Sequence, residues 1–353
     1  MQNYNCKNCG AVLSWDPKAS SLKCAFCGKE HQPSDFEDKT LNAKFVKDES
    51  MEKKYASQEV TEDMVIYECK TCGGEVVTLK TTMATVCPYC GEAISITSKS
   101  VGSFRPELIV PFSKTKEEIK KEYNDYVLKS FLTPKKFKKQ HIVEKIQGIY
   151  VPFLLHDIDN QSFFEFNGEL TSNYRSGNDR VTVHDVYNLS ITAEGQYEKI
   201  PTDGSKRVDD FLMESLEPFV YENLNAYDPA YMAGFVAEQI DDNEEQLKKR
   251  AVERATIGME NNAKRRFSNY QALVKKNELF KLTNYKTKYV MLPVWILNVN
   301  YHNKKYTFAV NGQTGKVVGK LPVDKLKLIL VAFGTAISTG LLMPAIFALT
   351  SML

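Results

Sequence analysis

The sequence predicts an α+β protein with two N-terminal four-cysteine zinc ribbons, a duplicated helix-plus-hairpin body and one C-terminal transmembrane helix. Three observations support this prediction. One cysteine spacing occurs twice near the N-terminus, two related segments occur in the middle of the chain, and residues 328–353 carry no charged side chain. The predicted units are ribbon 1 (1–31), a charged linker (32–64), ribbon 2 (65–97), the body (98–325) and a tail anchor (326–353).

All eight cysteines fall into two sets with the spacing C-x2-C-x14-C-x2-C. Four thiolates at this spacing can surround zinc tetrahedrally and leave no position for water or substrate, so we predict two structural zinc ions. The alternative, disulfide loops, requires an oxidising compartment, and no apolar secretory segment precedes the first cysteine. The predicted metal ligands are Cys6, Cys9, Cys24, Cys27, Cys69, Cys72, Cys87 and Cys90.

Residues beside the cysteines support the ribbon prediction. Each C-x-x-C pair is followed by a glycine, a residue that tolerates the positive φ of a tight knuckle. These glycines are Gly10, Gly28, Gly73 and Gly91. His31 follows a complete ligand set, and we therefore predict that it is a surface histidine. Three apolar side chains of the ribbons, Trp15, Phe26 and Tyr89, are predicted to be exposed and to contact a protein partner.

The segment between the ribbons is charged and poor in large apolar residues, which predicts a linker with some helix. After ribbon 2, Thr115 and Glu118 form a capping-box signature. Apolar residues then recur every four positions from Ile119 to Phe131, and Pro134 enforces a stop. This pattern predicts an amphipathic helix.

The body contains an internal repeat covering about 115–172 and 242–321. "IYVPFLLHDIDNQSFFEFNGE" at Ile149 matches "VMLPVWILNVNYHNKKYTFAVNGQ" at Val290, and both alternate apolar and polar residues towards an Asn-Gly turn. Such alternation predicts paired strands. A helix from near Asp241 to "AKRR" is predicted before the second copy, since acids precede bases as the helix dipole favours.

The last 26 residues, from Leu328 to Leu353, predict a membrane span. As one helix they would reach about 39 Å, more than the roughly 30 Å of a hydrocarbon core. A buried helix, the alternative, would show a polar stripe. Lysines precede the segment, so the positive-inside rule predicts a single-pass protein of the cell membrane with its body in the cytoplasm. These lysines are Lys316, Lys320, Lys325 and Lys327.

The paired "CxxCG" knuckles, the phrases "GIYVPFLLHD" and "LEPFVYENLNAYDPAYMAGFVAE", and above all "NGQTGKVVGKLP" resemble a bacterial family of membrane-anchored zinc-ribbon proteins. Its members are often labelled transcription factor IIB-type zinc-ribbon proteins or helicase-like primosomal proteins. The resemblance covers nearly the whole chain. It implies zinc binding, membrane attachment and association with membrane-stress proteins of the phage-shock type, and it implies no reaction.

The sequence predicts no enzyme. The nearest match to a phosphate-binding loop, Gly312 to Lys316, has two residues between its glycines and valine in place of Ser or Thr, and no G-x-S-x-G or H-E-x-x-H stretch occurs. The predicted function is an adaptor that docks cytoplasmic or membrane proteins at the inner membrane face. The alternative is a membrane-tethered nucleic-acid binder that uses the ribbons and the basic stretch Lys129–Lys139, although the formal charge of only +2 provides no global attraction to phosphate.

Overall fold

A computed structural model describes residues 4–36, 64–68, 75–79, 82–86, 93–95, 106–140, 142–206, 209–238, 240, 242–302, 304–336 and 339. The first cysteine segment forms a small antiparallel sheet of three strands, followed by a 3-10 turn at Pro33–Phe36. The strands are β1 (Leu13–Asp16), β2 (Ser21–Cys24) and β3 (Glu30–His31).

Two pairs of short strands follow. β4 (Met64–Glu68) pairs with β5 (Glu75–Leu79) in a separate two-stranded sheet. β6 (Thr82–Val86) pairs with β7 (Ala93–Ser95) and joins the main sheet at its edge.

The remaining chain builds the main sheet and its helices. The strands are β8 (Leu108–Ile109), β9 (Ile142–Ser176), β10 (Asp179–Asp203), β11 (Asn225–Ala226), β12 (Val236–Glu238), β13 (Ala272–Tyr301), β14 (Lys304–Asn311) and β15 (Val317–Gly319). The helices are α1 (Lys116–Lys129), α2 (Lys135–Gln140), α3 (Asp210–Ser215) and α4 (Glu244–Arg266). Two further 3-10 turns span Tyr221–Asn223 and Pro229–Met232.

The two copies of the internal repeat pair directly with each other. Pro152 and Pro293, which match in the copies, lie 141 residues apart. Val151 pairs with Leu292 in the antiparallel β9–β13 ladder, and these two residues are separated by the same offset. An approximate two-fold axis therefore passes between β9 and β13.

The short strands follow the same symmetry. β12 adds in parallel to β9 at Ile149, and β8 adds in parallel to β13 at the matching residue Val290. Each copy thus runs short strand, helix, long strand and return strand, and places its short strand beside the long strand of the other copy. The two copies complete one sheet together.

Helix α4 lies on one face of the long strands. Its residues Met259 and Ala263 pack with Phe164 and Phe166 of β9, and all four are buried. Gly195 of β10 lies under this helix because an added Cβ would come 2.5 Å from the Met259 sulfur. The predicted helix "DDNEEQ" to "AKRR" is confirmed: it begins after the Asn243 cap and ends at Arg266.

The predicted amphipathic helix is also confirmed. Thr115 and Glu118 form both hydrogen bonds of the capping box, and Ile119, Tyr123 and Val127 are buried. The pattern extended two residues too far, since α1 ends at Lys129 and Phe131 is 70% exposed. The short helix α2 then carries four of the five lysines of the basic stretch.

The predicted α+β class is wrong, because the described chain is mostly β-sheet with few helices. β9, β13 and β10 alone contain 35, 30 and 25 residues. We expected a turn at Asn167-Gly168, but β9 continues through it to Ser176. Pairing with β13 on one side and β10 on the other supplies hydrogen-bond partners there, which outweighs the local turn preference.

The predicted C-terminal transmembrane helix (326–353) is also wrong. Among the residues that the structure describes, no helix is long and apolar enough to cross a membrane. Residues 325–336 and 339 are helical, and residues 337–338 and 340–353 of the predicted span lie outside the described residues. The helical residues include Lys325 and Lys327. The predicted single-pass location in the cell membrane depended on this span and is corrected with it.

Candidate metal centre

The first four-cysteine set comes together at one end of the β1–β3 sheet. The ligand atoms of Cys6, Cys9, Cys24 and Cys27 all lie within 4.8 Å of one another. The closest pairs, Cys6–Cys27 and Cys9–Cys24, have Sγ atoms 3.5 Å apart. The second predicted set, Cys69, Cys72, Cys87 and Cys90, lies outside the described residues, as do Gly73, Gly91 and Tyr89.

Two knuckles with the same backbone pattern hold the sulfurs. In the first, the Cys6 N–H donates to Ala11 O at 2.7 Å and the Gly10 N–H donates to Cys6 O at 2.8 Å. In the second, Cys24 donates to Lys29 O and Gly28 donates to Cys24 O, both at 2.9 Å. Gly10 and Gly28 adopt φ of 74° and 71°, as the sequence predicted. A side chain at either position would be strained in this conformation.

The sulfur arrangement fits a metal ion of the zinc type. Tetrahedral zinc with Zn–S bonds of about 2.3 Å separates its sulfurs by about 3.8 Å, close to the spacing found here. A disulfide requires about 2.05 Å, and these four cysteines are free thiols. Four cysteines this close together could therefore bind a metal such as zinc.

The two exposed thiols of the cluster differ in pKa. Although the Ala11 backbone N–H donates to Cys9, desolvation and the neighbouring sulfurs raise the pKa of that thiol to about 12. The pKa of the Cys27 thiol is lowered to about 6, first because the Lys29 backbone N–H donates to it and then because of the neighbouring sulfurs. In addition, the Cys27 N–H lies 3.4 Å from the Cys24 sulfur and donates to it. A metal-binding cysteine must lose its proton, so these donors prepare the site for a cation.

His31 is buried, so its predicted surface position is wrong. It is only 8% exposed, and its Nε2 lies 3.3 Å from Cys6 Sγ while its ring contacts Phe36 edge-on. β3 pairs with β2 and places Leu22 opposite His31, which turns the imidazole towards the sulfur cluster. That the complete four-cysteine set makes His31 redundant as a ligand stays a prediction. The cysteine spacing gave no signal for the contact between His31 and the Cys6 sulfur.

The first ribbon is fixed to the body by Trp15. This side chain was predicted to be exposed, but it is only 6% exposed. Its indole N–H donates to Phe112 O at 3.3 Å, its backbone N–H donates to Ala233 O at 3.0 Å, and its ring contacts Tyr231 at 4.7 Å. Tyr4, Cys6 and Cys24 also belong to the largest apolar cluster of the body.

Phe26 has the opposite environment. It occupies the second knuckle, between Cys24 and Cys27, and is 83% exposed. Exposing a phenylalanine to water is unfavourable by roughly 1.5–3 kcal/mol relative to burying it. The knuckle that supplies two sulfurs therefore also presents an apolar side chain to the surroundings.

The basic stretch Lys129–Lys139 exposes fewer groups for nucleic-acid binding than its sequence suggested. Phe137, one of its two phenylalanines, is fully buried in α2 and contacts Tyr301 edge-on at 5.0 Å. The Lys138 ammonium donates to Leu128 O at 2.7 Å. Phe131 is therefore the one aromatic side chain of this stretch that is exposed for stacking on a base.

Comparison with known proteins finds a relative that matches nearly the full length of this chain. Over 326 residues the chain is 30% identical to the "Uncharacterized protein YdjG" of Bacillus subtilis (strain 168), and the match covers 92% of each protein. No family model matches the chain, and no solved structure does.

Proposed function

The chain belongs to the family of the uncharacterized protein YdjG, and on this premise we propose that it is a zinc-ribbon adaptor that docks a protein partner and catalyses no reaction. The observation that carries the proposal is the second knuckle, where Phe26 is 83% exposed directly between two cysteines of the sulfur cluster. Exposed apolar side chains on a rigid support are typical of protein-docking sites.

The chemistry of the cluster supports a binding role. Four cysteine ligands complete a tetrahedron, so zinc held there would have no position for a substrate or reactive water. Two histidines of the body lie next to a carboxylate. His156 is fully buried between Tyr285 and Thr202, and His184 pairs with Glu169 on the exposed part of the β9–β10 ladder.

We propose that the second cysteine set holds a second structural zinc ion, since its spacing repeats the first. Membrane-stress proteins of the phage-shock type are the proposed class of partner, in keeping with the resemblance of the repeat phrases and knuckles. Elemental analysis of the purified, reduced chain should give two zinc ions. Cys9→Ser and Cys72→Ser should each remove one, and a wild-type value of one or none would contradict the double-ribbon proposal.

The docking role is tested by crosslinking and pull-down with matched variants. Phe26→Ala should lose a partner that the wild type recovers, because it removes the exposed ring without disturbing the sulfurs. Leu279→Ala, which shortens another apolar side chain with 63% exposure on β13, is the control and should keep that partner. Equal recovery by all three proteins would exclude the knuckle as the docking surface.

Nucleic-acid binding remains the second candidate because Lys135, Lys136 and Lys139 are exposed beside Phe131. The chain should bind mixed-sequence DNA and RNA no more tightly than roughly 10⁻⁶ M at physiological salt, the nonspecific range. Tighter binding that is abolished when Lys135, Lys136, Lys138 and Lys139 are replaced by alanine would reverse the order of the two candidates.

A further inference from the structure

The strand β10 forms an open edge of the main sheet over residues 179–195. This segment pairs with β9 on one side, and among the described residues no strand pairs with its other side. Its ladder with β9 runs without a register shift as far as Tyr197. An unbroken edge of this length presents a row of backbone N–H and C=O groups that can pair with another strand.

The opposite edge of the same three strands is protected, whereas β10 is not. Within the described residues, 272–288 of β13 pair only with β9. This edge contains five lysines and two register shifts, at Lys275/Asn277 and Leu282/Asn284. Lysines and bulges are devices by which proteins prevent strands from pairing edge to edge. Residues 179–195 of β10 have no lysine and no register shift, so this edge lacks both devices.

Arg180 lies on the open edge without an acidic partner. The residue directly opposite it in β9 is Arg175, and like charges in a cross-strand pair are destabilising. Both side chains are exposed, and no ion pair within the described part of the chain involves either one. Arg180 is also the one lysine or arginine of residues 179–195. Its position therefore favours an acidic group supplied from outside the β9–β10 pair.

Glu194 is the one acidic residue of this segment on the same face as Arg180. Side chains alternate between the two faces of a strand, so the even-numbered residues of the unshifted ladder share a face. The odd-numbered Leu189 and Ile191 pack with the α4 cluster on the other face. Oε1 of Glu194 accepts from Gln161 Nε2 at 3.0 Å, and a carboxylate can accept further hydrogen bonds through its second oxygen.

We propose that two copies of this chain associate through β10, edge to edge and antiparallel, about a two-fold axis at Tyr187. This register places Arg180 of each copy opposite Glu194 of the other, and none of its pairs opposes two like charges. On the α4 face it places apolar side chains opposite one another, Val181 with Ala193 and Val183 with Ile191. Cross-strand pairs of these kinds stabilise a sheet. The association is independent of the docking role of Phe26.

The same register separates the two α4 helices. Met259 of α4 lies against Gly195, because an added Cβ on that glycine would come 2.5 Å from the Met259 sulfur. Gly195 of each copy lies opposite Asp179 of the other in the proposed pairing. The two helices therefore occupy different halves of the joined ladder, one on each side of the axis at Tyr187.

Sedimentation velocity of the full chain over a concentration series tests the association. The wild type should be dimeric. Arg180→Glu and Glu194→Arg should each raise the dimer dissociation constant by about tenfold or more, because each like-charge contact occurs twice in the dimer. The double variant Arg180→Glu/Glu194→Arg pairs opposite charges again, so its dissociation constant should return to within about threefold of the wild-type value.

Lys281→Glu is the matched control, since it reverses an exposed charge on the β13 edge and should leave the dissociation constant unchanged. All of these side chains are exposed, so far-ultraviolet circular dichroism should give the wild-type spectrum for every variant. A wild type that stays monomeric up to roughly 100 µM would overturn the proposal. Unchanged association in both single variants would assign it to another surface and overturn the proposal as well, as would a double variant that is not restored.

Discussion

Trp15 and Phe26 belong to the same small ribbon but have opposite environments. Trp15 is 6% exposed and bonds to the body, whereas Phe26 is 83% exposed beside the sulfur cluster. Both are aromatic residues within the first cysteine set, and the sequence predicted the same exposed position for both. Tertiary contacts of Trp15 with Phe112 and Tyr231 bury its ring, so of the two only Phe26 is exposed to a partner.

His31 should influence the metal without binding it. His31→Phe removes the group that lies 3.3 Å from Cys6 Sγ while keeping an aromatic ring against Phe36. Loss of such an outer-shell partner typically lowers metal affinity by about 10–100-fold, and we expect that effect here. Competition with a chromophoric chelator measures it. His184→Phe, at a histidine on the exposed part of β10, should keep wild-type affinity.

His156 should make stability depend on pH. Burial lowers the pKa of His156 to about 4, below its ordinary value of about 6.5. The folded state therefore favours the neutral ring. The contribution of His156 to the free energy of unfolding is fully present above about pH 6.5 and is lost as the pH falls towards 4. Between about pH 7.5 and pH 5 this loss amounts to about 2 kcal/mol in the free energy of unfolding.

Urea unfolding of wild type and His156→Gln at both pH values isolates this contribution. Other groups change protonation equally in both proteins. The difference between the stability that the wild type loses from about pH 7.5 to pH 5 and the stability that the variant loses therefore reports His156. The variant should lose about 2 kcal/mol less than the wild type on acidification. Identical losses would show that the ring is protonated or solvated in the folded state.

At the scale of elements, the first ribbon depends on the body for its position. β1 contacts the 3-10 turn Pro229–Met232, and Trp15 enters the apolar cluster that also contains α1 and the centre of the main sheet. A 33-residue segment (4–36) is too short to bury a core alone. A metal held by the four thiols and docking onto the body would therefore stabilise the ribbon together.

Trp15→Ala should separate the ribbon from the body. Truncating a buried tryptophan destabilises a protein by about 3–5 kcal/mol, and part of this loss should appear as independent opening of the ribbon. Hydrogen exchange followed by mass spectrometry should show faster exchange over residues 4–36 while zinc remains bound. The control is Phe26→Ala, where the exposed ring should change stability by less than about 0.5 kcal/mol.

At the scale of the whole molecule, the ribbon and body share one apolar cluster. Cys6 and Cys24 are buried in it with Tyr150 and Trp295 of the long strands. If the body had a separate core, removing a zinc site would unfold only its own ribbon. The shared cluster gives a different expectation, because loss of a metal from the first site would expose side chains that also cover the body.

Cys9→Ser should therefore lower the stability of the body as well as its zinc content. Cys9 is exposed, so the substitution itself removes little packing. In a Trp15→Phe background, Trp295 is the remaining tryptophan, and its fluorescence follows unfolding of the long strands. We expect a lower urea midpoint for the Cys9→Ser variant than for the zinc-loaded protein that keeps Cys9. An unchanged midpoint after loss of one zinc would show that the body folds independently of the first ribbon.

The sequence by itself determined the features that depend on neighbours a few residues apart. The C-x-x-C-G knuckles, the Thr115–Glu118 capping box and the Asn243-capped α4 are set by hydrogen bonds within one turn, so spacing was sufficient to predict them. Tertiary structure decided the rest. The length of β9 follows from pairing with β13 more than a hundred residues away, and the positions of Trp15 and His31 follow from contacts across the ribbon–body boundary and the β2–β3 pair. These contacts join residues far apart in the sequence, so no local pattern predicts them. Burial and strand pairing at such contacts outweigh the local preference of Asn-Gly for a turn and the exposure expected of Trp15 and His31.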